Sequence, residues 1–307
     1  MAKILITGGS GLLALNWAYH IRDLHEVTLA LHTRKIRMPG VDTAQIELTS
    51  RPALTEAIAR ISPDIVIHAA GLTSVDDCEQ KPELARLVNS TLAGNVAYSC
   101  KINNKKLIHI STDHLFHGDE PRLAEDALPA PINVYARTKL SAETEVRDLV
   151  PDALIIRTNF FGWGPAYRHS FSDWIIDSLR QGKAITLFDD VHFSPILIDT
   201  AVDIVHGLLN KKATGIFNVV SDERLSKYDF AMLLAQEFNF PSDQVIRGKI
   251  SGLKLAAPRP NDMSLNNDKM KDRLQLKSVS LREQLGLLRQ QWDSGRANEI
   301  RNVILEN

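Results

Sequence analysis

Short apolar runs alternate with amphipathic stretches through the first half of the chain. The runs lie at about 3–7 (KILIT), 26–32 (EVTLALH), 45–48 (QIEL), 64–69 (DIVIHA), 106–111 (KLIHIS) and 153–158 (ALIIRT), with another at 215–220 (GIFNVV). Several are apolar at consecutive positions, as strands covered on both faces are. The intervals carry helical periodicity, which predicts helices at about 12–22, 51–61, 83–103, 133–148, 170–181, 199–209 and 226–238. Such alternation, joined by right-handed crossovers, predicts an α/β fold on a doubly wound parallel sheet of the Rossmann type. Beyond Asn159 the pattern loosens: Gly162, Gly164 and Pro165 cluster, and 241–280 holds few long apolar runs. These segments are read as a smaller, partly interleaved C-terminal lobe at the carboxyl edge of the sheet. The expected division is 1–158 with 196–220 as the dinucleotide-binding domain and 159–195 with 221–290 as the second lobe. The polar stretch 291–307 is either a loose tail or a terminal helix.

Composition narrows the function classes. The chain has 307 residues, with 36 Lys and Arg against 37 Asp and Glu, a net charge of −1. That balance lacks the basic footprint of a nucleic-acid binder. No run approaches the length of a membrane span, and MAKILITGG enters a strand pattern without the layout of a signal peptide. Cys78 and Cys100 have neither metal nor disulfide spacing. A reducing, cytoplasmic setting is expected.

The first strand runs into Thr7-Gly8-Gly9-Ser10-Gly11-Leu12-Leu13-Ala14 and then a helix. Gly8 permits the tight reversal. Gly11 lets the backbone approach a pyrophosphate seated on the helix N-terminus, and small Ala14 allows close helix–strand packing. After the second strand comes His32-Thr33-Arg34-Lys35-Ile36-Arg37, with no acid to hold a free 2′-hydroxyl. Arg34 and Lys35 suit a 2′-phosphate instead, so NADP(H) is expected over NAD(H), the latter being the alternative.

Tyr135 and Lys139 stand one helical turn apart in Asn133-Val134-Tyr135-Ala136-Arg137-Thr138-Lys139. A phenol titrates near 10; a nearby ammonium is expected to lower that value and fit the phenol to exchange a proton with a carbonyl or alcohol oxygen. Upstream, a strand ends in His109-Ile110-Ser111-Thr112-Asp113-His114-Leu115-Phe116. Ligands bind off strand carboxyl ends in such sheets. Thr112 is the candidate to present a hydroxyl to the same oxygen, with Ser111 as runner-up.

This ordered set resembles the extended short-chain dehydrogenase/reductase superfamily, and within it the dTDP-4-dehydrorhamnose reductase family. The matching pieces are TGGSGLLA, DIVIHAAG at 64–71, TSVDD at 73–77, Asn89, STDHLF at 111–116, YARTK at 135–139, IIRTNFFG at 155–162 and RPNDMSL at 259–265. The resemblance implies an NADP-binding domain, a substrate-binding lobe and hydride transfer to the C4 ketone of a nucleotide-linked 6-deoxy-4-keto-hexose, a step in deoxysugar and cell-surface polysaccharide biosynthesis. By carry-over, Tyr135 is the acid, Lys139 binds the nicotinamide ribose and tunes Tyr135, and Thr112 orients the ketone. Gly8, Ser10, Gly11, Leu12 and Leu13 would cradle the cofactor. Ala69, Ala70 and Leu72 would pass beside it, and Glu47 and Leu48 would lie near its adenine. Thr73, His114, Asn159 and Arg259 would face the sugar nucleotide. The chain departs from the family at His114, often a tyrosine there, at Ala136, often glycine, and at His192-Phe193-Ser194-Pro195. Related dehydratases carry Asp-Glu where this chain has Asp113-His114, so the glutamate base for elimination is missing. The alternatives are an epimerase of the same superfamily and an NADP-binding regulatory subunit similar to the β-subunit of methionine adenosyltransferase.

Other candidates carry less. His109, Asp113, His114 and His117 sit on a strand end, where their side chains do not converge as metal ligands do, so no metal is expected. Trp163 and Trp174 have core packing as the simpler role, against stacking on a base. The expected partner is a small nucleotide sugar, with no nucleic acid and no membrane, and a symmetric homodimer is the default assembly.

Overall fold

The computed structural model describes residues 1–305; Glu306 and Asn307, the end of the stretch read as a tail, lie outside the described residues. Seven strands form the central sheet: β1 (Lys3–Thr7), β2 (Glu26–Leu31), β3 (Asp42–Gln45), β4 (Ile65–His68), β5 (Lys106–Ile110), β6 (Leu154–Arg157) and β7 (Gly215–Asn218). Their order is β7-β6-β5-β4-β1-β2-β3, every neighbouring pair parallel. The chain moves outward from β1 to β3, then returns to the other side of β1 at β4. Strand order reverses there, leaving a crevice off the carboxyl ends of β1 and β4.

Helices cover both faces. On one side α1 (Leu12–Ile21) and α6 (Ile198–Asn210) share an apolar cluster with β1 and β2 that runs on into Trp163, Ile175, Phe230 and Leu288 of the later segments. On the other, α2 (Arg51–Ile61), α3 (Leu92–Ile102) and α4 (Val134–Leu149) pack on Leu5, Val66, Leu107 and Ile155. The consecutive apolar residues of KILIT and LIIR are buried accordingly.

Two differences from the expected elements have physical causes. The third strand is the polar Asp42–Gln45 rather than 45–48, because it is the sheet edge and is largely exposed; apolar Ile46 and Leu48 pack just beyond it. The expected long helix 83–103 is interrupted by a π-helical turn at Leu87–Thr91, which points Asn89 and Ser90 inward.

The later segments add α5 (Phe171–Arg180) and α7 (Lys227–Glu237), each started by a Ser–Asp capping box. After them come α8 (Leu281–Asp293) and α9 (Arg296–Arg301). In the last described segment Ala297 and Ile300 are buried, and the exposed Ile304–Leu305 pairs antiparallel with Ile36–Arg37. No helix among the described residues is long and apolar enough to cross a membrane.

Candidate active site

Gly8, with φ of 68°, turns the chain at the end of β1; a Cβ there would lie 2.7 Å from Ala70 Cα. The turn closes with Gly11 N–H donating to Gly8 O at 2.7 Å. Gly11 caps α1 and offers no side chain to its first amides, so the helix start keeps donors directed at the crevice, suited to a phosphate. A cavity of about 350 Å³ opens above this turn, lined by Gly8, Ser10, Gly11, Arg34, Glu47, Leu48, Ala69 and Ala70. Glycine cradle, uncapped helix and basic side chain fit a phosphorylated dinucleotide. Lys35 is exposed and does not line the cavity.

A second cavity of about 280 Å³ shares Gly11, Ala69, Gly71 and Arg168 with the first. Its wall holds Leu12, Leu13, Thr73, Thr112, His114, Tyr135 and Asn159. The structure thus brings glycine turn, strand-end threonine and helix tyrosine to one continuous cleft. Leu72 sits behind the wall, its N–H and C=O both bonded to the Asn89 amide, which also reaches Thr138 of α4 at 3.0 Å.

Local sequence fixes Tyr135. Asn133 caps α4 through Ala136 N–H at 2.8 Å and holds Pro258 O with its own amide. Tyr135 therefore occupies the first turn, facing the end of β5. Burial pushes its phenol above the ordinary value, partly countered by a hydrogen bond with Thr112. This corrects the expectation of a phenol lowered by Lys139. One N–H of the Lys139 ammonium donates to Ile110 O at 2.6 Å, and burial lowers its pKa to about 8. Beside it the buried rings of His68 and His109 stack with centroids 5.5 Å apart. Burial foremost, with the Lys139 charge second, keeps both imidazoles neutral, that of His68 at about 3.

Thr112 and Ser111 are separated by their partners. Ser111 donates to Glu143 at 2.5 Å and is committed to the buried Glu143–Arg157 ion pair. Thr112 faces the cleft, donating to Asp113 at 3.2 Å. Asp113 also accepts from Asn159 at 2.6 Å. His114 meets the Tyr135 ring edge-on at 5.5 Å, and burial lowers its pKa. Arg259 is not on the cleft wall; it pairs with Asp76 at 2.9 Å and holds Ala257 O.

Sequence reasoning missed two cations. Arg168 lines both cavities and donates to Thr73 at 2.5 Å. Lys227, at the start of α7, lies 3.2 Å from the Phe193 ring centroid and 5.0 Å from that of Phe171. Burial lowers its pKa to about 8, with the Asp113 charge opposing. Neither belongs to a local motif, so only tertiary contacts reveal them. Trp163 is fully buried against Phe238 and Trp292, while Trp174 stacks on Phe171, and neither lines the cleft. Among the described residues no group of three or more His, Cys, Asp or Glu is placed to hold a metal ion.

Residues 2–293 match the family described as RmlD substrate binding domain. A Haloferax volcanii protein named "Probable low-salt glycan biosynthesis reductase Agl14" is 30% identical over 291 residues, covering 92% of this chain and 96% of that one. The dTDP-4-dehydrorhamnose reductase of Escherichia coli K12 is 28% identical over 242 residues, 75% of this chain and 80% of the enzyme. Methionine adenosyltransferase 2 subunit beta of Pongo abelii is 25% identical over 288 residues, 87% of this chain and 81% of that protein. A Bacillus anthracis dTDP-4-dehydrorhamnose reductase, solved in complex with NADP, has the same fold, with a TM-score of 0.82 at 24% identity over 94% of this chain and 99% of that one.

Proposed function

The chain belongs to the RmlD substrate binding domain family, and on that premise we propose that it is an NADPH-dependent reductase of the C4 ketone of a nucleotide-linked 6-deoxy-4-keto-hexose, with NADH as the weaker donor. The observation that carries this reading is the single cleft in which Thr112 and Tyr135 face the glycine turn. The turn Gly8–Leu13 would hold the pyrophosphate, Arg34 the 2′-phosphate, and Glu47 and Leu48 the adenine end. In this reading residues 1–158 with 196–220 hold the cofactor, and 159–195 with 221–290 face the sugar nucleotide.

When bound, the nicotinamide supplies a hydride to the ketone carbon. The protein's own task is to manage the oxygen. Thr112 orients the carbonyl through its hydroxyl. Tyr135 donates the proton that the forming alkoxide needs, and its raised pKa keeps it in the donor form at neutral pH. Lys139, largely charged at neutral pH with a pKa near 8, supports negative charge growing at that oxygen. Thr73 and Asn159 line the half of the cleft where the sugar nucleotide would lie.

The test is oxidation of NADPH with a dTDP-4-keto-6-deoxyhexose. Tyr135→Phe is expected to lower turnover by about 10²- to 10⁴-fold, the range of general acid catalysis; full turnover in that variant would remove Tyr135 from the chemistry. Similarity to the methionine adenosyltransferase β-subunit over 87% of the chain favours a second reading, a cofactor-binding regulatory subunit. NADPH binding without turnover on any 4-keto sugar nucleotide would favour it.

A further inference from the structure

Tyr167 belongs to the stretch read as the substrate lobe, yet it reaches the glycine turn. Its hydroxyl donates to Ser10 O at 2.8 Å. Across its ring lies the Arg34 guanidinium, with Cζ 4.0 Å from the ring centroid. The next residue, Arg168, reaches Thr73 on the far side of the crevice. Residues 164–170 therefore form a strap over the junction of the two cavities. Its root is fixed: Gly164 N–H and Ser170 N–H both donate to Asp173, and Ala166 N–H donates to Arg301 O at 3.1 Å. A Cβ on Gly164 would collide with Arg168 O, so the tight fold of the strap depends on that glycine.

An aromatic face orients a guanidinium without cancelling its charge. A carboxylate partner would occupy the fork of donors that a phosphate needs. Arg34 is exposed and carried by a loop, so a free side chain would lose rotamer entropy on gripping a phosphate. Stacked on a ring that is itself tied to the glycine turn, it is already ordered at the edge of the cofactor cavity.

We propose that Tyr167 is a specificity-determining residue for the phosphorylated cofactor, holding Arg34 in the pose that receives the 2′-phosphate. The inference rests on the NADPH reading above and extends it to a residue from the other lobe. Isothermal titration of the full chain with NADPH and with NADH, without sugar nucleotide, tests it. Tyr167→Leu is expected to raise the Kd for NADPH about 3- to 10-fold, the scale of a cation–π contact, and to leave that for NADH within about twofold. Tyr167→Phe keeps the ring and is expected to keep most of the preference. In an Arg34→Gln background, Tyr167→Leu should add nothing further, because both changes remove one interaction. Equal weakening of both cofactors by Tyr167→Leu would reduce the residue to general support of the strap, and unchanged affinities would remove it from recognition. Wild-type protein binding NADPH no better than NADH would overturn the cofactor reading and this inference together; a wild-type preference left undiminished by Tyr167→Leu would overturn the inference alone.

Discussion

Tyr135 and Lys139 share a helix turn, but their surroundings divide the labour. Burial raises the phenol and lowers the ammonium toward 8, so on raising pH the lysine loses its proton first. Activity in the reducing direction is therefore expected to fall as pH passes about 8, well before the phenol ionises. Lys227 titrates in the same range, so a pH–rate profile of Lys227→Met is the control. Persistence of the alkaline limb in that variant assigns it to Lys139, and its disappearance assigns it to Lys227. The spacing of Tyr135 and Lys139, the preceding Thr112 and the glycine turn were legible in the sequence because each motif is local. The direction of the Tyr135 shift was not, because it is set first by burial under segments distant in the sequence, with the Asp113 and Cys78 charges adding to it.

At the scale of elements, α4 is registered against the sheet by a buried group. Glu143 accepts from Arg157 at the end of β6 at 2.8 and 3.0 Å and from Ser111 just past β5. Both charged side chains are only 2% exposed. The ring of partners satisfies both charges, and removing one would strand the other. Glu143→Gln is expected to lower stability by about 3–5 kcal/mol in urea denaturation; a loss under about 1 kcal/mol would mean that the pair does not hold α4 in place. Parallel strands and their helices were readable from apolar runs and periodicity. The edge strand 42–45 was not, since exposure there permits a polar sequence, and the π-turn at Asn89 shows only in the hydrogen bonds that this residue makes. The strap fared worst: Tyr167 and Ser10 are 157 residues apart, a distance no local pattern spans.

Across the whole molecule, the chain end locks onto the first helix. His20 of α1 bonds Asp199 at 3.1 Å and Asp203 at 2.7 Å, both on α6, and Arg296 of α9 pairs with Asp199 at 2.7 Å. Tyr19 of α1 and Arg22, the C-cap of that helix, both meet Glu299. Within the stretch read as a tail or terminal helix, α9 is thus a clasp. The bonds to Asp199 and Asp203 raise His20 from 6.5 to about 9. A pKa raised by folding contributes stability that is complete below about 6.5 and lost as pH climbs through 9. His20→Asn is accordingly expected to lower the Tm clearly at pH 6, with a gap that narrows by pH 9.5; a gap that is independent of pH would show that the imidazolium contributes nothing. The same clasp supports the strap through Arg301, and so joins the chain end to the cleft. The central claim is that this cleft delivers a hydride to a sugar carbonyl. Incubating the protein with a dTDP-4-keto-6-deoxyhexose and NADPH carrying deuterium at both C4 positions, then locating the label by NMR and mass spectrometry, tests it most directly. The account predicts a product with one deuteron at sugar C4, whereas unlabelled or unreduced sugar from protein that still binds NADPH would contradict it.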